Sequence, residues 1–188
     1  MPTVTPRVLV ILAKGAEEME VVIVVDVLRR AGIDVQLAGL DGTAPVRCSR
    51  GVVITPDLAL DAAKGPFDLV VLPGGGEGTE RLVKSALVGK LLAEQEKAKR
   101  LIGAICAAPS ALAAHGIGKG LTMTIYPGME AKLAGHAIVK AQAVAEDGQI
   151  VTSRGPGTAF EFALALVGRL LGKDQQQAVR DPLVLSGR

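Results

Sequence analysis

The sequence predicts an α/β fold: a mostly parallel central sheet with helices on both faces. Three observations carry that expectation. Short runs of β-branched and aliphatic residues alternate along the chain with longer helical patterns. Those runs are apolar throughout rather than alternating, as strands buried on both faces require. The 188 residues are 49% hydrophobic but only 2% aromatic, without tryptophan, so the core must be built from Val, Leu, Ile and Ala.

The elements follow in order. RVLVIL (7–12) reads as the first strand and MEVVIVVDVLRRAG (19–32) as the first helix, closed by a glycine. DVQLAGL (34–40) is a second strand, and VRCSRGVVITPD (46–57) reads as a hairpin insertion. FDLVVL (67–72) is the third parallel strand and ERLVKSALVGKLLAEQEKAK (80–99) one long helix. LIGAIC (101–106) is a fourth strand, followed by APSALAAHG (108–116), a helix with Pro109 early, where proline is tolerated. A strand pair around EDGQ is expected within 137–152, then a helix over GTAFEFALALVGRLLGK (157–173). With no repeat, linker or low-complexity tract, residues 1–188 read as a single domain.

The first helix has almost no solvent face, since only Glu20 and Asp26 interrupt the apolar run from Met19 to Leu28. Such a helix is buried on two sides. Its sheet covers one; a second copy of the chain, or the C-terminal PLVL, covers the other.

Composition excludes several functions. The net charge is +2 and the basic residues are scattered, with almost no aromatics for base stacking, which argues against nucleic-acid binding. Cys48 and Cys106 are the only cysteines, too few for a disulfide framework or a structural zinc site. The start, MPTVTPRVLVILAKG, has no basic segment or cleavage pattern of a signal peptide. The longest apolar stretch, VVIVVDVL, is broken by Asp26 and falls short of the roughly 20 residues a bilayer demands. A reducing, cytoplasmic location is expected, with no stable membrane binding.

Cys106 is the first candidate site residue. A buried cysteine is often just a small hydrophobe. This one sits at a strand's C-terminal end, where open parallel sheets bind ligands. It opens a helix, whose N-terminal dipole and free N–H groups favour a thiolate. Ala104 and Ala108, two residues to either side, leave room for a sharp nucleophile elbow. Together these features favour a reactive thiol. In KGAEEMEVV, Glu17 and Glu18 are accounted for by the helix dipole. Glu20 stands among Met19, Val21, Val22 and Val24, where desolvation holds a carboxyl neutral and able to donate a proton. PGGGEG (73–78) lacks the spacing and lysine of a phosphate loop. It is either a turn needing positive φ or, with the N–H groups of Gly75 and Ala107, an oxyanion hole. His115 lies nine residues beyond Cys106, roughly 13 Å along a helix, too far to act as its base. His136 sits in a loop-like AGHA context, so a Cys-His triad is poorly supported.

With these residues in view, the chain resembles the family of the Parkinson-disease-linked protein deglycase, in the ThiJ/PfpI superfamily. LAKGAEEME, VRCSRGVVI, DLVVLPGG, AICAAPSAL, TSRGPGT and PLVL carry the resemblance. Peptidase-like members of the superfamily have His directly after the cysteine; here Ala107 stands there, which places the chain in the deglycase branch. The resemblance implies a flavodoxin-like three-layer sandwich, a homodimer, and cofactor-free, metal-free chemistry with Cys106 as nucleophile. It implies that Glu20 is the essential carboxyl and that Gly75 and Ala107 supply the oxyanion site. Arg50 and Arg154 match positions that line or brace the pocket. Implied activities are conversion of methylglyoxal-type 2-oxoaldehydes to hydroxy acids, repair of early glycation adducts on proteins and nucleotides, and protection against oxidative stress. The alternative is a redox-sensing chaperone whose Cys106 is oxidised to the sulfinate, and nucleus and mitochondrion are secondary locations. Two positions depart from the pattern. Tyr126 replaces a histidine common among relatives, and a phenol ionises only near pH ~10; Thr55 replaces a peripheral cysteine.

Overall fold

The structure, a computed structural model, describes residues 5–185; of the N-terminal stretch read for a targeting signal, residues 1–4 lie outside them. The chain runs β1 (Arg7–Leu12), α1 (Glu18–Arg30), β2 (Asp34–Gly39), β3 (Val46–Arg47), β4 (Val53–Ile54), β5 (Leu58–Ala59) and β6 (Leu69–Leu72). It continues through α2 (Gly76–Lys84), α3 (Ala86–Lys97), β7 (Leu101–Ile105), α4 (Pro109–Ala114), β8 (Thr122–Met123) and β9 (Ile138–Val139). β10 (Val144–Asp147), β11 (Ile150–Ser153), α5 (Ala159–Leu171) and α6 (Lys173–Arg180) complete it. The main sheet has the order β10–β11–β7–β6–β1–β2–β5, parallel throughout except where β10 pairs antiparallel with β11.

The two-residue period of a strand divides the core in two. Val8, Val10 and Leu12 of β1 face α1 and α5, together with Val71 and Ile105. Leu9 and Ile11 face α2, α3 and α4, with Val70, Leu72 and Ile102. Each strand is apolar on both faces because each face meets a helix layer. The expected three-layer sandwich is present, and 46–57 is the expected hairpin, with β3 and β4 antiparallel.

Several elements differ from expectation. The short strands β5, β8 and β9 are additional to those expected, and the helix read over 108–116 spans only Pro109–Ala114. The helix read over 80–99 is two helices. It starts early, at Gly76, and breaks at Ser85, whose extended backbone lets its hydroxyl accept the Val88 N–H and cap α3. The last helix stops at Leu171, because Gly172 takes φ +90°. α6 follows; its KDQQQAVR buries only Val179, so it has no apolar stripe to read. The third strand begins at Leu69 rather than 67, since Asp68 turns to accept the Arg7 N–H. Among the described residues no helix is long and apolar enough to cross a membrane.

α1 packs along α5 as well as the sheet, and Leu183 and Leu185 of PLVL join the same core. Met19 and Val22 nevertheless stay about half exposed (51% and 52%), beside Val52 and Val53 of the hairpin. PLVL therefore covers only part of the helix.

Candidate functional site

β1 and β6 are neighbours whose following connections leave in opposite directions, β1 towards β2 and β6 towards β7. Their C-terminal ends diverge there and open the crevice typical of doubly wound sheets. Residues 13–17 and 73–76 line this point, and β7 delivers Cys106 beside it.

Cys106 is not the first residue of a helix. It adopts φ +64°, a left-handed conformation that costs a non-glycine residue energy, and α4 starts only at Pro109. The bend is held from both sides. Its N–H donates to the Ser153 carbonyl at 2.9 Å and its carbonyl accepts the Tyr126 N–H at 2.9 Å. Ala104 and Ala108 are fully buried around the turn. The backbone N–H groups of Gly75 and Ala107 both donate towards the sulfur.

Glu20 meets this thiol from α1 and is completely buried. Its Oε2 accepts the Gly74 N–H at 2.7 Å, while Oε1 is buried without a partner. Sequence reasoning singled out Gly75 and missed Gly74, though the PGGG run held the clue. A side chain at 74 would put its Cβ 2.5 Å from the Cys106 Cβ and 2.8 Å from Glu20 Oε2. Only glycine lets acid and thiol approach.

Burial pushes Glu20 up to about 7, against the pull of the Gly74 N–H and the Cys106 thiol. Burial, followed by repulsion from the Glu20 carboxylate, pushes the Cys106 thiol up to about 12. For the thiol alone, removal from water thus works against the two N–H groups and the helix-dipole expectation. The two side chains titrate as one unit, releasing one proton near neutrality and holding the other. The held proton suits the unpartnered Oε1, because the sulfur already receives two N–H groups and Oε1 receives none.

Glu17 and Glu18 do more than complement a dipole. Both are buried, and the Ser49 hydroxyl lies 2.7 Å from Glu17 Oε2 and 2.9 Å from Glu18 Oε2. Glu18 also accepts the Arg50 N–H at 2.8 Å and the Val52 N–H at 3.4 Å. Burial raises its carboxyl, but these bonds and that of its own N–H prevail and hold it below the usual range. The pair fastens the hairpin turn over the start of α1. Arg50 thus joins the site through its backbone, and its side chain is exposed.

Tyr126 contributes its backbone to the elbow; its ring is 46% exposed and lies against Gly155 of the SRGPG turn. Arg154, at the start of that turn, faces Glu130, whose carboxylate is held low first by backbone N–H groups of the 128–130 turn and then by this arginine. The structure leaves both histidines out of the dyad: His115 Nε2 is 3.0 Å from the Leu82 carbonyl and His136 Nε2 is 2.7 Å from that of Ile117. Among the described residues no His, Cys, Asp or Glu cluster suits a metal ion.

Comparison with known proteins gives consistent matches. The family model described as the DJ-1/PfpI family covers residues 6–169. A Danio rerio protein named "Parkinson disease protein 7 homolog" is 54% identical over 183 residues, 95% of this chain and 97% of that protein. A Caenorhabditis elegans protein named "Glutathione-independent glyoxalase DJR-1.2" is 41% identical over 176 residues, 92% of each. The crystal structure of Drosophila melanogaster DJ-1beta matches with a TM-score of 0.95 at 49% identity, covering 98% of this chain and 100% of that one.

Proposed function

The chain belongs to the DJ-1/PfpI family, and from that premise we propose that it is a cysteine-dependent glyoxalase and deglycase. Its substrates are methylglyoxal-type 2-oxoaldehydes and their early adducts, and it needs no cofactor. The observation that carries this reading is the dyad. A fully buried carboxyl that titrates near neutrality lies against a thiol on a strained elbow, with two backbone N–H groups aimed at the sulfur. The name of the nematode relative supports the glyoxalase assignment.

The chemistry balances without a redox partner. The Cys106 sulfur adds to the aldehyde carbon, and the proton held on Glu20 passes to the new hemithioacetal oxygen, which leaves Glu20 free to act as a base. The N–H groups of Gly75 and Ala107 receive that oxygen. Glu20 removes the proton from that carbon and returns it to the neighbouring carbonyl carbon. This leaves a 2-hydroxy thioester, and water then breaks the C–S bond and releases the hydroxy acid. Glu20 serves as sole shuttle, with Tyr126 in the place of a histidine.

A homodimer is part of this reading, supported by the exposed apolar surface of Met19, Val22, Val52 and Val53. The regulator reading draws on the same N–H groups, which would receive the oxygens of a sulfinate as readily as an oxyanion. Formation of lactate from methylglyoxal in amine-free buffer decides between the two. Wild type forms lactate and Cys106→Ser does not; if neither does, while mild peroxide adds two oxygens to Cys106, the enzyme assignment is withdrawn.

A further inference from the structure

A cavity of about 510 Å³ lies between α2 and α4, closed on its third side by the 129–136 segment. That volume falls within the roughly 300–1,000 Å³ of ligand pockets, and a three-carbon aldehyde fills little of it. Gly76 and Ala107 are among its lining residues. Gly76 follows the glycine whose N–H points at the sulfur, and Ala107 is itself the second donor. Through these two residues the cavity adjoins the site.

Its lining is mixed. Val83, Ala113, Ala114 and Met129 give it apolar surface, and the exposed Lys84, Lys132 and Glu80 give it charge. Neither lysine takes part in an ion pair among the described residues. Two cations against one carboxylate leave the rim positive. His136 also lines the space, but its Nε2 is committed to the Ile117 carbonyl. The lysines are therefore the donors for a ligand's charge.

Thr79 adds an independent observation. It lines the cavity at 4% exposure, and its Oγ1 is buried without a partner. An unmade hydrogen bond of this kind is costly. Helical threonine divides between two χ1 rotamers, so one rotation exchanges its methyl and hydroxyl and offers the latter to a ligand.

We propose that this cavity is a side-chain subsite that selects 2-oxoaldehydes bearing a short aliphatic chain that ends in a carboxylate. The proposal rests on the glyoxalase reading and names its substrate class. The apolar lining takes the methylene groups, and Lys84 and Lys132 take the carboxylate. For 4,5-dioxopentanoate the C–S bond forms at the aldehyde carbon, that carbon's proton passes to the adjacent carbon, and water releases 2-hydroxyglutarate.

The test compares kcat/KM for 4,5-dioxopentanoate and methylglyoxal. Wild type favours the carboxylated aldehyde, and the double variant Lys84→Gln/Lys132→Gln lowers the ratio by about tenfold, the combined effect of two partly exposed charge contacts. Thr79→Val lowers it as well. Lys119→Gln, an exposed lysine outside the cavity, leaves the ratio as it is. A ratio near one in wild type that no variant moves overturns the proposal. A second arm does not need turnover: levulinate, which has the same carboxylated chain but no aldehyde, is titrated while amide resonances are followed. Shifts confined to Gly76, Thr79 and Ser110, and lost in the double variant, support the subsite. Their absence sinks it, whereas a wild type that makes no lactate from methylglyoxal sinks only the glyoxalase reading.

Discussion

Glu20 is held in a conflict that gives it its chemistry. Complete burial disfavours the carboxylate, and one N–H bond, from Gly74, compensates only in part. A carboxyl raised to about 7 keeps its proton in the folded state across a range where the unfolded chain has lost it. Stability therefore falls as pH rises from the ordinary carboxyl value near 4.5 to about 7, and levels off above. Glu20→Gln removes that penalty. Its denaturation midpoint should exceed that of wild type at pH 8, by about 1–2 kcal/mol once the unpaired amide N–H is counted, and the gap should close near pH 4.5. Reactivity moves the other way. Alkylation of Cys106 by iodoacetamide should rise with a midpoint near 7 in wild type, where the dyad loses its first proton. In Glu20→Gln the thiol ionises alone against burial, so the midpoint should move up; a downward shift would place the held proton on sulfur instead.

At the level of elements, the site is a meeting of three strand ends, and its tolerance is set by backbone. The turn after β6 passes so near the elbow that Gly74→Ala would drive its Cβ into Cys106, Glu20 and the Ile105 carbonyl. Overpacking of this kind costs about 1–3 kcal/mol, read as a lower urea midpoint, and it should slow Cys106 alkylation. Two residues on, Gly76→Ala places its Cβ in open space at the start of α2. That change should be neutral or stabilise by up to about 1 kcal/mol. Equal losses from both would mean that helix geometry, rather than contact with the dyad, governs the turn. The hairpin β3–β4 is fixed in the same region by Glu18, which explains why the acidic start of α1 is buried.

For the whole molecule, the exposed apolar residues Met19, Val22, Val52 and Val53 lie on α1 and on the hairpin that Glu18 fastens to it. Association through that face is expected, and Val22→Glu, at a position already half exposed, should convert a dimer to a monomer in light scattering without unfolding it. A variant that stays dimeric would move the interface elsewhere. Much of this architecture was legible in the chain: the continuous apolar strands, the break at Gly32, the small residues around Cys106 and the lone acid within an apolar helix. These are local signals, set by period, propensity and spacing. α6 and the break at Ser85 were hidden because neither interrupts an apolar stripe. The sequence alone determined the sandwich and the candidacy of Cys106 and Glu20. Only tertiary structure decided that Glu20 Oε2 binds Gly74, that Glu17 and Glu18 clasp the Ser49–Arg50 turn, and that acid and thiol meet out of water. Each depends on residues tens of positions apart, and on how much water their packing excludes, which no local pattern encodes.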